Sequence, residues 1–242
     1  MSTLKVHNIE PATGTDVALG AAGDSVTVSG DSLKLDTFKD AGGNTLFTSD
    51  GSGTVSSVNS GLKGNGPILI QSQTASSSAS ISFTSGINST YDKYMFVFVN
   101  IHPATNNTNF TFQVNAVGET GYNETITSTA FQAYHKEDGS AYSLAYRADA
   151  DQAQGTSYQI LKDEIKNDND SQTSGILYLY APSSTTYIKH FISHCVGMNP
   201  SDNIDDEYIS GYISTTAAID DVQFKMSTGN IDAGIIKMYG IG

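Results

Sequence analysis

Two patterns of hydrophobic and polar residues divide the chain. From Thr15 to Leu35, apolar residues come in pairs separated by one residue, and stretches rich in Gly, Ser and Asp, which favour turns, lie between the pairs. From residue 74 onward, longer segments alternate apolar and polar residues with a period of two, which predicts strands with one buried face. We therefore predict an N-terminal segment over residues 1–73 and a β domain over residues 74–242.

The N-terminal pairs predict very short strands. The pairs are Val17 and Leu19, Val26 and Val28, and Leu33 and Leu35, and Leu46–Val58 continues the pattern with a turn at Asp50–Gly53. A single copy buries too little apolar surface to offset the ordering of its backbone, which costs roughly 1–2 kcal/mol per residue. Three copies wound around one axis would bury the pairs. The pattern therefore favours an extended, Gly-rich, trimeric stalk, and a flexible Gly/Ser linker is the alternative.

The C-terminal domain is predicted to be all-β. Tyr94–Ile101 is apolar on both faces and is expected in the centre of a sheet, whereas Asn109–Val117 alternates and is expected to bury one face. About ten such segments, with turn signals between them and no long helical pattern, predict an antiparallel, jelly-roll-like β-sandwich. The charged segment Lys162–Asp170 is interpreted as a solvated loop.

Composition supports this division and excludes some functions. Residues 1–73 contain 11 of the 23 glycines but only two of the 23 aromatic residues, so the bulky core residues lie in the second part. The net charge of −13 and the single arginine argue against nucleic-acid binding, because phosphate contacts use clustered Lys and Arg. No apolar run approaches the roughly 20 residues of a membrane helix, and the N-terminus lacks the apolar region of a secretory signal. We therefore expect no membrane insertion, and synthesis in a cytoplasm.

Two clusters of side chains suggest metal binding, and each has a simpler interpretation. His190, His194 and Cys195 are close in sequence, but the period of a strand places the two histidines on one face and the cysteine on the other. We therefore expect His194 and Cys195 to be packed structural residues.

The second cluster is acidic. Asp202, Asp205, Asp206 and Glu207 supply oxygen ligands that suit Ca²⁺, yet they lack the spacing of an EF-hand, and a solvated acidic turn is favoured over a structural calcium site. The sequence contains no motif of a hydrolase, phosphate loop or zinc protease. We predict no catalytic residue, no cofactor and no metal, and thus a protein that is not an enzyme.

Tyrosines are the candidates for contact with another molecule. All 13 lie beyond residue 74, and four of them, Tyr122, Tyr134, Tyr142 and Tyr146, lie near predicted turns. A tyrosine ring offers an apolar face for stacking and a hydroxyl for hydrogen bonding, which suits neutral sugars or exposed protein loops. The alternative is that these rings fill the sandwich or an interface between copies.

Two segments carry a resemblance to a known family. Thr90–Ala116 contains an aromatic strand that leads into Asn-Ile-His-Pro-Ala-Thr at Asn100–Thr105. Gly211–Ile241 ends in Ser-Thr-Gly-Asn-Ile-x-x-Gly-x-Ile-x-x-Tyr-Gly-Ile at Ser227–Ile241. These segments resemble the C-terminal module of many phage tail-fibre and minor virion proteins. The opening TLKVHNI and the later segment LFTSDGSGTVSSVNSGL are similar to the N-terminal parts of such fibres.

The resemblance implies a virion structural protein. It implies a homotrimeric tail fibre that docks on other virion proteins through residues 1–73 and presents its sandwich to a host-surface glycan or protein, in a particle assembled in the host cytoplasm. A capsid-bound head fibre or a tail adaptor with a purely structural role is the alternative, and a glycan-degrading tailspike is a third possibility. The resemblance brings no catalytic residues.

Overall fold

The computed structural model describes residues 37–40, 42–49, 51–52, 55–56, 58 and 66–242. The chain forms two compact units, Met1–Gly64 and Asn65–Gly242. The predicted stalk pairs between Thr15 and Leu35 lie outside the described residues. The predicted boundary at residue 73/74 falls inside the first strand of the second unit, which begins at Ile68.

The described part of the first unit is a small antiparallel sheet. Its strands are β1 (Thr37–Lys39), β2 (Thr45–Ser49) and β3 (Val55–Ser56), and β2 pairs with both neighbours. The rings of Phe38 and Phe47 stack with their centroids 5.3 Å apart. Gly51 has a φ of +77°, the left-handed conformation that the predicted turn requires of a glycine.

The second unit contains twelve strands and, among residues 66–242, no helix. The strands are β4 (Ile68–Ser78), β5 (Ile81–Phe83), β6 (Lys93–Pro103), β7 (Thr108–Ala116), β8 (Ile126–Lys136), β9 (Tyr142–Tyr146), β10 (Gln159–Ile165), β11 (Thr173–Tyr180), β12 (Lys189–Met198), β13 (Asn203–Ile213), β14 (Ile219–Met226) and β15 (Ile231–Ile241). No helix in the described residues is long and apolar enough to span a membrane.

The strands form two antiparallel sheets that pack face to face. The larger sheet has the order β4-β15-β6-β11-β12-β13-β8-β9, and the smaller has the order β10-β7-β14-β5. The prediction of an all-β, sandwich-like fold is confirmed, and β6 lies inside its sheet, as the two-sided apolar pattern of Tyr94–Ile101 predicts. A jelly roll has eight strands divided between two sheets, whereas the large sheet here has eight strands by itself. The sandwich is therefore larger than the jelly roll that the sequence predicted.

Phenylalanines join the two sheets. Phe224 of β14 packs against phenylalanines of both sheets, with centroid distances of 5.2 Å to Phe98, 5.3 Å to Phe96 and 5.9 Å to Phe110. Phe112 of β7 contacts Phe191 of β12 at 5.0 Å. Because all of these rings are buried, they form the centre of the hydrophobic core.

Strands from the segments Thr90–Ala116 and Gly211–Ile241 pack against each other. β15 pairs with β6, and irregularities between Ile231 and Ile235 interrupt their register. Gly234, at φ +124°, lies at this point, and a Cβ added there would lie 2.7 Å from the carbonyl oxygen of Asn100. Gly234 of β15 therefore allows the backbone of Asn100 in β6 to approach it closely.

Replacing this glycine should lower stability. Gly234→Ala combines a backbone conformation essentially restricted to glycine with a steric clash, so we expect a loss of about 1–3 kcal/mol in the free energy of unfolding. Gly118→Ala is the matched control, because Gly118 also has a positive φ, of +86°, but has no atom within 4 Å of an added Cβ. Urea unfolding of both variants measures the difference. Equal losses would show that the close approach to Asn100 does not matter.

Candidate assembly surface and a buried ionic cluster

The large sheet has an apolar side that faces away from the small sheet. Five neighbouring strands, β11, β12, β13, β8 and β9, form this side, which we call the outer face. Cross-strand pairing places on it the apolar and aromatic residues Ile176, Tyr178, Ile192, Val196, Ile204, Tyr208, Tyr212, Phe131, Tyr142, Leu144 and Tyr146. In a sandwich with one solvated side, these alternate positions are normally polar. The outer face therefore has the composition of a contact surface.

Aromatic rings form a continuous row across the outer face. His194, Tyr208, Phe131 and Tyr146 are direct cross-strand neighbours on β12, β13, β8 and β9. The rings of His194 and Tyr208 stack at 4.1 Å, and those of Tyr208 and Phe131 stack at 5.0 Å. Stacked rings lose little conformational entropy when a partner covers them, which is why aromatic residues are enriched at interfaces.

The outer face is almost free of charge although the chain carries a net charge of −13. Within the five strands, Asp206 is the one charged side chain on this face, and it hydrogen-bonds to His194 Nε2. The strands' other acids, Asp205 and Glu207, point into the sandwich and are buried. Two acidic molecules can therefore meet at this face with little repulsion between like charges.

A groove of about 540 Å³ crosses the outer face. Ser210 and Gly211 form its floor, and the larger side chains of Ile192, His190, Tyr180 and Tyr212 stand around it. Strands spaced about 4.8 Å apart and up to 11 residues long give the outer face an area of roughly 600 Å². That is close to the ~800 Å² that each partner contributes to a standard protein interface.

The four candidate tyrosines lie in three different environments. Tyr142 and Tyr146 are on the edge strand β9, at the margin of the outer face, with 76% and 58% of their surface exposed. Tyr134 is half-buried on β8. Tyr122 follows β7, is half-buried, and donates its backbone N–H to Asn115 Oδ1 over 2.7 Å. Burial raises the pKa of Tyr122, whose hydroxyl also bonds to Ser82. The structure therefore brings only Tyr142 and Tyr146 together.

The histidines and the cysteine of β12 occupy opposite faces, as the strand period predicts. Cys195 points inward and is buried, and this burial raises the pKa of its thiol to about 12. His190 and His194 point outward. His194 was expected to be packed, but 41% of its side chain is exposed, because it lies on the outer face. The three side chains do not converge on one site.

A cluster of ionic side chains lies inside the sandwich. Lys162 of β10 has a fully buried side chain, and its Nζ is 2.8 Å from Glu207 Oε1, 3.2 Å from Asp205 Oδ2 and 3.3 Å from Asp163 Oδ1. Asp205 and Glu207 belong to β13, so the cluster connects the edge strand of the small sheet to the large sheet. We call these four residues the ionic cluster.

Neighbouring polar groups hold the ionic cluster in place. Arg147, which follows β9, forms an ion pair with Asp163 and another, of 2.8 Å, with Asp149. Gln132 Nε2 donates to Glu207 Oε1 over 3.1 Å, and Asn199 Nδ2 donates to Asp205 Oδ1 over 3.3 Å. Buried charges that are paired and hydrogen-bonded in this way avoid most of the cost of desolvation.

This cluster corrects two interpretations of the sequence. The first part of Lys162–Asp170 is not a solvated loop, because Lys162 and Asp163 are buried in β10, whereas the residues after Ile165 do form a largely exposed loop. Asp205 and Glu207 are likewise strand residues with buried side chains, not parts of a solvated acidic turn. These charged residues are stable inside the sandwich because Lys162 of the small sheet lies opposite Asp205 and Glu207 of the large sheet, and Asp163 pairs with Lys162 and Arg147.

The ionic cluster has the carboxylates of a metal site but is arranged around a lysine. One oxygen each of Asp163, Asp205 and Glu207 lies within 4.8 Å of the others. The Lys162 ammonium lies among them, where a cation would bind, and balances their charge. The calcium site considered for Asp202–Glu207 is also divided, because Asp202 bonds to Lys166 and Asp206 bonds to His194. We therefore assign the three carboxylates to Lys162.

The protonation of the cluster follows from burial. Burial raises the pKa of Glu207 from 4.5 to about 8, and burial also raises the pKa of Asp205. Burial opposes the charged form of Asp163 as well, but a hydrogen bond from Glu207 and the charge of Lys162 hold its pKa below the usual value. Burial alone would lower the pKa of Lys162, and the three carboxylates outweigh it and raise that pKa.

Glu207 should make stability depend on pH. Its pKa is higher in the folded state, so its contribution to stability is fully present below 4.5 and is lost as the pH rises through about 8. We expect Glu207→Gln to flatten the fall of the unfolding free energy between those limits. Glu164→Gln, on the exposed side of β10, is the control and should keep the slope. Urea unfolding at several pH values measures both, and an unchanged slope in Glu207→Gln would refute the assignment.

Comparisons of the chain with protein-family models, curated proteins and solved structures give no match.

Proposed function

We propose that this chain is a phage virion fibre protein that assembles as a homotrimer. In this proposal the outer face of the large sheet joins the copies, residues 1–73 dock on other virion proteins, and the sandwich is presented for attachment to the host surface. The protein is made in the host cytoplasm and becomes part of the particle. It binds other molecules and catalyses no reaction.

The observation that carries the proposal is the uncharged, aromatic outer face of an acidic protein. The rest of the molecule repels other copies, whereas the outer face offers them apolar surface at little electrostatic cost. Its area suits a stable interface between copies. Repeated self-association through a rigid β domain is what a structural protein of a particle requires, and the resemblance to phage fibre proteins names the kind of particle.

Immunogold electron microscopy of phage particles tests the proposal. An antibody against the sandwich should label the tip of a fibre if the chain is a tail fibre. Labelling of the capsid surface would favour the alternative of a head fibre or an adaptor. Failure to label any particle made by the phage that encodes the chain would refute a virion role.

The edge strand β9 lies at the margin of the outer face, and in this proposal it stays outside the contact between copies and offers a separate contact for the host. Tyr142 and Tyr146 of β9 flank Leu144, which is 72% exposed, so three large side chains project at the edge of the sheet. A contact of this type is weak for each copy and is strengthened when one particle presents several copies. It depends little on salt, because it uses no formal charge.

Replacing both tyrosines should weaken adsorption to host cells. We expect Tyr142→Ser with Tyr146→Ser to lower adsorption by roughly thirtyfold, since interface tyrosines often contribute about 1 kcal/mol or more each. Tyr187→Ser is the control, because Tyr187 is 72% exposed but lies before β12. Labelled protein bound to susceptible cells is measured at two salt concentrations. Unchanged adsorption, or a steep loss with salt in the unmodified protein, would contradict the assignment.

A further inference from the structure

We propose that Lys162 and Asp205 form an intramolecular amide bond that joins the two sheets covalently. Lys162 Nζ lies 3.2 Å from Asp205 Oδ2, and the two side chains are 0% and 1% exposed. The residues are 43 positions apart and belong to β10 of the small sheet and β13 of the large sheet. The amine and the carboxyl group are therefore held in direct contact inside the sandwich, and this lowers the entropic cost of joining them.

Asp205 is the reacting carboxyl group because of how the other two are held. Asp163 is adjacent to Lys162 in sequence and forms an ion pair with Arg147. Glu207 accepts hydrogen bonds from the backbone N–H of Asp163, at 3.2 and 3.3 Å, and from Gln132. Asp205, by contrast, lies between Asn199 on Oδ1 and Lys162 on Oδ2. One oxygen of Asp205 thus contacts the amine, and the other is held by Asn199.

The reaction balances without any further reactant. A proton moves from the Lys162 ammonium to the Asp205 carboxylate, relayed by Glu207, which leaves a neutral amine beside a neutral carboxylic acid. The amine nitrogen then attacks Cγ of Asp205, and Glu207 takes the proton that the nitrogen releases. Glu207 returns this proton to the departing hydroxyl group, the C–O bond breaks, and one water molecule leaves. The products are an amide, a water molecule and the regenerated Glu207 carboxylate.

The surroundings of the cluster fit these roles. Glu207 Oε1 is 2.8 Å from Lys162 Nζ, within reach for proton transfer. Asn199 Nδ2 can donate to the oxygen that becomes negative during the attack. Burial raises the pKa of Asp205, which favours the neutral acid that the amine attacks, and it raises the pKa of Glu207 to about 8, which makes the Glu207 carboxylate a stronger proton acceptor. The ion pair precedes the reaction, and the neutral amine arises by proton transfer inside the cluster.

An amide bond here has a structural purpose. The chain has a single cysteine, so it has no intrachain disulfide, and a bond between residues 43 positions apart restricts the unfolded chain in the same way as a disulfide. The inference does not depend on the virion role, since it concerns only residues inside the sandwich.

Peptide mapping of the purified full chain tests the proposal. Trypsin does not cut after a lysine whose amine is part of an amide. We therefore expect residues 148–166 to be recovered joined to residues 190–225, lighter than the sum of the two peptides by one water molecule. Separate, unmodified peptides 148–162, 163–166 and 190–225 would overturn the proposal.

A loss of water at another site in the chain is recognised by the tryptic peptide in which it occurs. Asp50-Gly51 and Asp138-Gly139 are sequences at which an aspartate can cyclise onto the backbone and also lose water. Those products would appear in peptides 40–63 and 137–147. A loss of water confined to these two peptides would also overturn the proposal.

Variants test whether Glu207 relays the proton, which is a separate question from whether the amide bond forms. Glu207→Gln should abolish most of the cross-linked peptide, because the relay is lost while the two reacting groups remain. Asp206→Asn is the matched control on the outer side of the same strand and should cross-link fully. Circular dichroism confirms that each variant is folded. Full cross-linking in folded Glu207→Gln would overturn the role of Glu207, and the map of the unmodified chain decides on the bond itself.

Discussion

Ile192→Glu should convert the assembled protein into monomers without unfolding it. Ile192 is 46% exposed, lies beside the groove and belongs to the middle of the outer face. A glutamate there would be buried without a counter-charge when copies meet, and in a trimer its copies would also repel one another. Light scattering should then give the chain mass of 25.6 kDa in place of about three times that mass.

Val117→Glu is the matched control for this experiment. Val117 is 58% exposed and follows β7 of the small sheet, so it carries the same change of charge away from the outer face. We expect this variant to stay assembled. Assembly that survives Ile192→Glu, or that is lost equally in both variants, would place the contact elsewhere.

Lys162→Met should be among the most destabilising changes in the sandwich. It removes the positive charge at the centre of three buried carboxylates and leaves them unpaired except for Arg147. The expected loss is about 3–5 kcal/mol, because breaking a buried ion pair leaves an uncompensated charge. In the cross-linked protein Lys162 is neutral, and the variant instead loses the bond between the sheets and leaves Asp205 as a free buried carboxyl group, so we expect a loss of similar size.

Lys136→Met is the control for this substitution. Lys136 pairs with Asp138 at 3.3 Å, and both side chains are substantially exposed, so we expect a loss of no more than about 1 kcal/mol. Urea unfolding of both variants gives the two values. Losses within about 1 kcal/mol of each other would show that the ionic cluster contributes little to stability.

The hydrophobic pattern predicts the strands that bury one full face. Tyr94–Ile101 and Asn109–Val117 correspond closely to β6 and β7, because their inward residues are large and apolar. The pattern misses β4, whose second half is Ser-Gln-Thr-Ala-Ser-Ser-Ser and resembles a linker. It also misses β8, which places Ser128 and Gln132 inward to bond with Gln159 and Glu207.

The ionic cluster is not predictable from local patterns. A lysine followed by two acids looks solvated when it is considered alone, and so does an Asp-Asp-Glu run. The two segments neutralise each other only because β10 lies over β13, and that contact depends on the order of strands in both sheets. A useful signal was present in β13, since Asp205 and Glu207 alternate with Asp206 at the period of a strand.

The outer face was partly predictable. The tyrosines indicated a contact surface, but their neighbours across the sheet, such as Phe131 beside Tyr208, follow only from the strand register. The sequence alone could not separate the inward from the outward aromatic residues of β8, β12 and β13. Self-association was expected from the N-terminal pairs, and the outer face now offers an independent reason for it.

A cryo-electron microscopy reconstruction of the purified full chain tests the central claim most directly. The account predicts a particle with threefold symmetry in which Ile192, Tyr208 and Phe131 of each copy are covered by a neighbouring copy. A single copy, or an assembly in which the outer face remains open to solvent, would contradict it.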